Sequence, residues 1–220
     1  MSTSLVVAVD GPSGSGKSST ARGVATRLGL AYLDTGAMYR AMTWALLQAG
    51  TDLDDPEAIA AAAKDVRIES GVDPLDPTIH ADGVDVAEAI RSEEVTASVS
   101  AVAAVPAVRA LLVDMQRATI ADNDERIVVE GRDIGSTVAP NADFKFFLIA
   151  DPAARAARRA LEEGSSDATA TEIALAKRDE IDSNRAASPL AKVDDAVLVD
   201  STYMTLEEVI ATIVAMVEQP

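Results

Sequence analysis

Eight consecutive residues of this chain have the types and spacing needed to hold a polyphosphate. Gly11-Pro12-Ser13-Gly14-Ser15-Gly16-Lys17-Ser18 fits G-x-x-x-x-G-K-[ST] at every fixed position. Glycines let successive backbone N–H groups curl around a phosphate, and a helix starting at the end of the loop points its partial positive charge at the same anion. Lys17 is spaced to reach the β- and γ-phosphates of a nucleoside triphosphate, and the Ser18 hydroxyl to ligate the accompanying Mg²⁺. The plain alternative is a Gly- and Ser-rich surface turn. A full match with an apolar run before it and a helical pattern after it favours the phosphate loop.

A second group of residues suits an anion in a different way. Arg155, Arg158 and Arg159 fall in one helical stretch, and Arg178 and Arg185 in the next. The chain carries a formal net charge of −17, so such a concentration of guanidinium groups reads as the lining of a phosphate site. Phosphoryl transfer between two anions needs it, and arginines on a closing lid would both neutralise charge and exclude water. The competing reading is ordinary helix-surface arginines paired with Glu162, Glu163, Glu172 or Asp179.

Two acidic segments complete the candidate chemistry. Glu130-Gly131-Arg132-Asp133 follows an apolar strand pattern, and so does Asp34-Thr35-Gly36. In open α/β sheets ligands gather beyond the carboxyl ends of strands. Acids there can reach Mg²⁺ through water or accept hydrogen bonds from a substrate, or they can simply cap helices and turns. His80 is the only histidine and there is no cysteine, so Ser-His or Cys-His catalysis is not expected. His80 itself reads as structural or solvated, and Trp44 as a core residue.

The elements that must position these groups follow from periodicity. Leu5 to Val9 is a strand buried on both faces, with a helix from Lys17 to about Leu28 stopped by Gly29. Ala31 to Leu33 is a second strand, leading into a helix that ends near Gly50. Asp55-Pro56-Glu57 caps a short helix ending near Lys64. Between Val66 and about Arg91, short alternating segments separated by Gly, Pro and Asp predict small antiparallel strands, hence a β-rich insert. Helical periodicity resumes at Ser92, pauses at Pro106 and continues to about Ala121. Two more strands, Ile127 to Val129 and Phe144 to Ala150, precede a helix from about Pro152. The polar stretch Gly164 to Thr171 then leads to a helix running to about Ala187. Ala196 to Asp200 is the last strand, and Thr205 to Glu208 a capping box opening the final helix. The pattern predicts a doubly wound α/β fold with a parallel sheet.

Composition narrows the function classes. At 220 residues and 48% hydrophobic content the chain makes one α/β domain with a core of aliphatic residues, since aromatics are 3%. The strong acidity argues against binding nucleic acid polymers or anionic membranes. The start of the sequence has no basic stretch and no long apolar run, so no signal peptide is expected there, and a cytoplasmic setting is. A GTPase switch would share the phosphate loop, but no N-K-x-D-like segment is present. A kinase for some other small acceptor, and a purely structural α/β domain, stay open from the residues alone.

Taken together, the motifs resemble the bacterial cytidylate kinase family over essentially the whole chain. The matching segments are residues 10–19, 32–40, 88–95, 105–109, 130–138, 178–185 and 198–202. The phosphate loop is shared by many families; D-[ST]-G-x-x-Y-R, G-R-D-x-G and R-D-x-x-D-x-N-R in this order are far more specific. The resemblance implies a kinase transferring the γ-phosphoryl group of ATP to CMP or dCMP with Mg²⁺, working as a monomer. It implies that Gly11 to Ser19 hold ATP, and that Thr35, Tyr39, Arg40 and Arg132 frame the acceptor phosphate. Ser100, Arg109, Asp133 and Arg185 would read the cytosine, and Arg178 and Asp182 would hold the sugar hydroxyls. Lys17, Arg132 and the lid arginines Arg155, Arg158 and Arg159 would serve the transfer itself. Thr35 stands where the family also uses serine, which keeps the hydroxyl. The expected organisation is a core of about 1–65 and 104–220, a monophosphate-binding insert of about 66–103 and a lid of about 152–168.

Overall fold

Val6 to Val9 are buried to a residue, and their side chains alternate between two different apolar clusters. The strand is therefore covered on both faces. In the computed structural model, which describes residues 4–163, 167–184 and 188–219, this strand is β1 (Leu5–Asp10) at the centre of a five-stranded parallel sheet. Its neighbours are β6 (Arg126–Gly131) and β7 (Phe144–Ile149), with β2 (Ala31–Asp34) and β8 (Val197–Asp200) at the edges, giving the order β2-β6-β1-β7-β8. Leu5 to Asp10 run in register with Arg126 to Gly131.

Val6 and Ala8 face one layer with Leu33, Ile127 and Val129. That layer is closed by Met38, Met42 and Leu46 of α2 (Thr35–Gln48) and by Val108 and Leu112 of α5 (Pro106–Asp122). Val7 and Val9 face the other layer with Tyr32, Val128, Phe146 and Leu148. There the cover is Ala21 and Val24 of α1 (Lys17–Leu28) and Val209, Ile210 and Ile213 of α8 (Leu206–Glu218). Truncating a fully buried member such as Ile213 would cost about 2–5 kcal/mol. The doubly wound α/β expectation is met.

The expected start and stop signals act as read. Asp34 caps α2 by accepting from the Ala37 N–H at 2.8 Å, and Asp55 caps α3 (Pro56–Ala62) at the Glu57 N–H. Thr205 and Glu208 form both bonds of the capping box. The insert contains β3 (Ile68–Ser70), β4 (Ile79–Ala81) and β5 (Val84–Asp85), a small antiparallel sheet in sequence order. Ile68, Ile79 and Ala81 pack into the same cluster as α2, so the insert shares the core of that layer. His80 on β4 is paired across to Glu69 and Asp85, away from the phosphate loop.

The expected pause at Pro106 is a sharp bend, and two further features depart from the periodicity. The helical run after Ser92 is two helices, α4 (Glu93–Ala104) and α5, bent by 95° at Val105–Pro106, because proline cannot continue the ladder of the preceding turn. Residues Ile134–Val138 form a π-helical turn that nothing in the pattern announced. Finally, α6 (Pro152–Glu163) is followed by α7 (Ala168–Asn184), which begins inside the polar stretch because Asp167 caps it at the Ala170 N–H. No single helix among the described residues is long and apolar enough to cross a membrane.

Candidate active site

The phosphate loop leaves the carboxyl end of β1, and its backbone decides which residues it can contain. Gly11 has φ +150°, and a Cβ there would lie 2.1 Å from the backbone oxygen of Leu148, so glycine is required. Gly16, at φ +88°, occupies the N-cap of α1 with no side-chain cap, and the first turn of α1 carries no acid. The orphan N–H groups of that turn therefore point at the loop, ready for an anion. Lys17 is buried and its Nζ donates to the Pro12 carbonyl at 2.9 Å. Burial, with Arg132 and Arg178 nearby, pulls its ammonium down to about 7, against the pull of Glu130. Ser18 and Ser19 are exposed at the loop's end.

The cleft in front of the loop, about 400 Å³, is lined by Lys17, Arg22, Arg40, Arg132, Arg159 and Arg178, with Asp34 and Glu130 among them. The cations crowd one another. Burial first and the charge of Arg159 next bring Arg40 down to about 10; burial, then Arg132 and Arg40, bring Arg178 down to about 9. On so acidic a chain, this is a local positive field looking for a polyanion. The Nε of Arg178 is buried without a hydrogen-bond partner. Arg40 is aimed by the insert, donating to the Ile90 carbonyl and the Thr96 hydroxyl at 2.9 Å each.

Glu130, next to last in β6 and beside Lys17, is 3% exposed. It accepts from the Tyr32 hydroxyl at 2.8 Å and also bonds the Ser18 side chain. Burial, then the charge of Asp34, pushes its carboxyl up to about 7. Tyr32 in turn is pushed above its ordinary range by burial and by Glu130.

A smaller pocket of about 50 Å³ adjoins the cleft and is lined by Thr35, Tyr39, Ser100, Arg132, Asp133, Arg178 and Asp182. All seven were expected from sequence at the acceptor side, and the fold gathers them from four elements. Thr35 is fixed by donating its hydroxyl to the Glu130 carbonyl at 2.7 Å. Arg132 Nε is 3.0 Å from Asp182 Oδ2, and Arg109 on α5 pairs with Asp133 in a buried contact. The Arg109 guanidinium lies 5.6 Å from the Tyr39 ring centroid. Arg185 lies outside the described residues.

The three lid arginines separate. Arg159 lines the cleft. Arg155 pairs with Asp179 and donates to the Ser13 carbonyl at 3.1 Å. Arg158 binds Ser201 through its hydroxyl at 3.0 Å and its carbonyl at 2.6 Å, and reaches the Ser15 carbonyl at 3.3 Å. Asp179 also accepts from the Ser13 N–H at 3.1 Å, so α7 reaches the phosphate loop directly. Residues that sequence reasoning did not assign a site role are Asp10, Asp179 and Ser201, while Glu130 was placed only as a strand-end acid able to reach Mg²⁺ or a substrate. All four lie inside the motif segments quoted above, but their side-chain partners are 24 to 186 positions away in sequence, out of reach of local pattern.

Comparison with known proteins agrees with this geometry. Residues 7–219 match the family model described as cytidylate kinase. A cytidylate kinase of Streptomyces griseus is 57% identical over 216 residues, spanning 98% of this chain and 94% of that one. The cytidylate kinase of Streptomyces avermitilis is 56% identical over 215 residues, spanning 98% and 93%. Among solved structures, one of a protein titled uncharacterized, from Eubacterium ventriosum, superposes with a TM-score of 0.53 at 12% identity, covering 98% of this chain and 99% of that one, a likeness of fold alone. With a family model matched from β1 to α8 and relatives of this identity over 93–94% of their length, the chain belongs to the cytidylate kinase family.

Proposed function

We propose that the chain transfers the γ-phosphoryl group of ATP to CMP or dCMP, giving ADP and the nucleoside diphosphate. The observation that carries this is the continuous cationic lining, from Lys17 through Arg132 and Arg178 to Arg40, which joins the phosphate loop to the acceptor pocket. One anion at the loop would satisfy Lys17 alone; two anions meeting end to end explain the rest.

The donor's phosphates lie on the N–H groups of the loop and of the first turn of α1, with Lys17 on the β- and γ-oxygens. An acceptor phosphate held by Arg132 and Arg40 presents an oxygen that is already anionic, so attack on the γ-phosphorus needs no general base. Lys17, Arg132 and Arg159 carry the charge that spreads over the transferring group, and positioning does most of the work. The Ser18 hydroxyl, with Glu130 and Asp34 behind it, is an all-oxygen donor set of the kind that suits Mg²⁺. No cluster of three or more His, Cys, Asp or Glu groups among the described residues would hold a metal unaided, which fits an ion that arrives on the phosphates. When bound, Mg²⁺ supplies charge neutralisation between the β- and γ-phosphates.

The base is read in the adjoining pocket. Asp133 accepts from the cytosine N4 amine while Arg109, Arg185 or Ser100 donate to N3 and O2, and Asp182 and Arg178 hold the sugar hydroxyls. Uracil would put an oxygen against the Asp133 carboxylate and leave buried groups unpaired, which a hydrogen-bonding site rejects strongly. Action as a monomer is inferred from the family resemblance, and a cytoplasmic setting from the cysteine-free composition. The test is ADP release from ATP and Mg²⁺ with CMP, dCMP, UMP, AMP and GMP in parallel. Rapid turnover with CMP and dCMP is expected; slow ADP release independent of acceptor would overturn the reading.

A further inference from the structure

Asp133 sits at the start of the π-helical turn Ile134–Val138, where a carboxylate would ordinarily fold back and cap the first free N–H groups. It does not: its φ of −146° and ψ of 29° leave its side chain out of the cap. The cap comes from elsewhere. Asp10, 124 residues earlier, accepts from the Ile134 N–H with Oδ1 at 2.9 Å and from the Gly135 N–H with Oδ2 at 2.8 Å. Both carboxylate oxygens are thus spent on the turn, and the Asp133 carboxylate is left to face Arg109 and the acceptor pocket.

We infer that Asp10 is a positioning residue for acceptor selectivity, clamping the turn that aims Asp133 at the acceptor base. The inference rests on the base-reading role of Asp133 and adds the residue that makes it possible. Asp10 is the last residue of β1, 7% exposed, and Gly11 of the phosphate loop is the next in the chain. The central strand therefore carries the donor loop and, through one side chain, the acceptor's reader. The fit on the turn is close, since a Cβ on Gly135 would come within 3.4 Å of Asp10 Oδ2 and 3.2 Å of Lys145 Cδ. Burial raises the Asp10 pKa, and the neighbouring Asp133 charge adds to this, while the two backbone N–H groups oppose it. A carboxylate kept there against its burial and a like charge is being held for the bonds it accepts.

The experiment compares Asp10→Asn, Asp133→Ala and the double variant, measuring kcat and KM for CMP and UMP and the affinity for a non-hydrolysable ATP analogue by calorimetry. Asn keeps one acceptor and sets an amide donor against the second N–H, so the turn loses one of its two clamps. Asp10→Asn is expected to raise KM for CMP and to lower the CMP-to-UMP ratio of kcat/KM by about tenfold or more. Analogue affinity is expected to stay within about twofold, and the double variant should discriminate no worse than Asp133→Ala alone. If Asp133→Ala narrows the ratio and Asp10→Asn leaves it unchanged, the inference falls while the base-reading role stands. If Asp133→Ala leaves the ratio unchanged, the base-reading role falls instead. A loss of kcat alike for both acceptors, or of analogue binding, would assign Asp10 to the phosphate loop and overturn the inference. Should Asp10→Asn fail to fold, Asp10→Ser leaves one shorter acceptor for the turn's two N–H groups and buries no charge. A narrowed ratio in that variant supports the inference and an unchanged one overturns it.

Discussion

Arg109 and Asp133 form a buried ion pair at the smaller pocket, 4% and 5% exposed, with the guanidinium 5.6 Å from the Tyr39 ring centroid. Each charge compensates the other, and in the proposed function the same pair also reads the base.

Removing one member separates those roles. Asp133→Ala should lower stability by about 3–5 kcal/mol, because it strands a buried guanidinium, and should also shrink the preference for CMP over UMP. Pairing it with Arg109→Met should recover most of the stability and none of the preference. Urea denaturation beside acceptor kinetics reads both, and a double variant that regains discrimination would contradict the pocket assignment.

Lys17→Ala is expected to reduce kcat by about 10²–10³ or more, as loss of a preorganised charge at the transferring group does. The same substitution should leave the melting temperature unchanged or raise it, since the ammonium is buried among Arg132 and Arg178 and its charge is disfavoured. Scanning calorimetry and steady-state rates settle the two halves; near-normal turnover would show that the loop does not do what its sequence implies.

The Lys17–Glu130 region should give the nucleotide-free protein a characteristic pH dependence. Glu130 is raised from 4.5 to about 7, so the folded state binds more protons than the unfolded one across that window and stability falls as pH rises through it. Lys17 is lowered from 10.5 to about 7, so its contribution has the opposite sign between pH 7 and 10.5, and stability recovers as pH rises. Glu130→Gln removes the first limb. Its stability relative to the parent should be more favourable at pH 7 than at pH 4.5, by at least the 2–4 °C that about 1 kcal/mol gives in a domain of this size. An equal difference at both pH values would mean that Glu130 is already ionised in the folded protein.

Asp179 accepts from the Ser13 N–H and pairs with Arg155, placing a carboxylate of the chain on the loop that takes the donor's phosphates. Asp179→Asn keeps an acceptor and removes the like charge. Affinity for ATP should rise by about three- to tenfold, an effect that weakens as salt is added. Calorimetric titration at two ionic strengths tests it, and unchanged or weaker affinity would count against competition at the loop.

The frame was legible because each of its signals is local. Leu5 to Val9, the Gly29 stop, the Asp34 and Asp55 caps and the Thr205–Glu208 box are decided within a few residues, and all stand as read. The candidate site was legible as a set of residues, because its motifs are contiguous, but not as a set of contacts. The Arg155–Asp179 pair and the Arg158–Ser201 bonds occupy two of the three lid arginines, and both depend on how α6 and α7 settle on the loop. The π-helical turn escaped for the same reason: its stability comes from Asp10, on another strand. Arg185, expected at the base, is outside the described residues.

The order of strands also has a consequence for synthesis. The phosphate loop is complete by residue 18, yet β1, which carries it, has no strand to pair with until β6 and β7 exist, between residues 126 and 149. Loop, capping turn and acceptor pocket must therefore mature together once the second half of the chain has left the ribosome. A nascent chain halted before residue 126 should show no nucleotide binding at all, although every residue of its loop is already present.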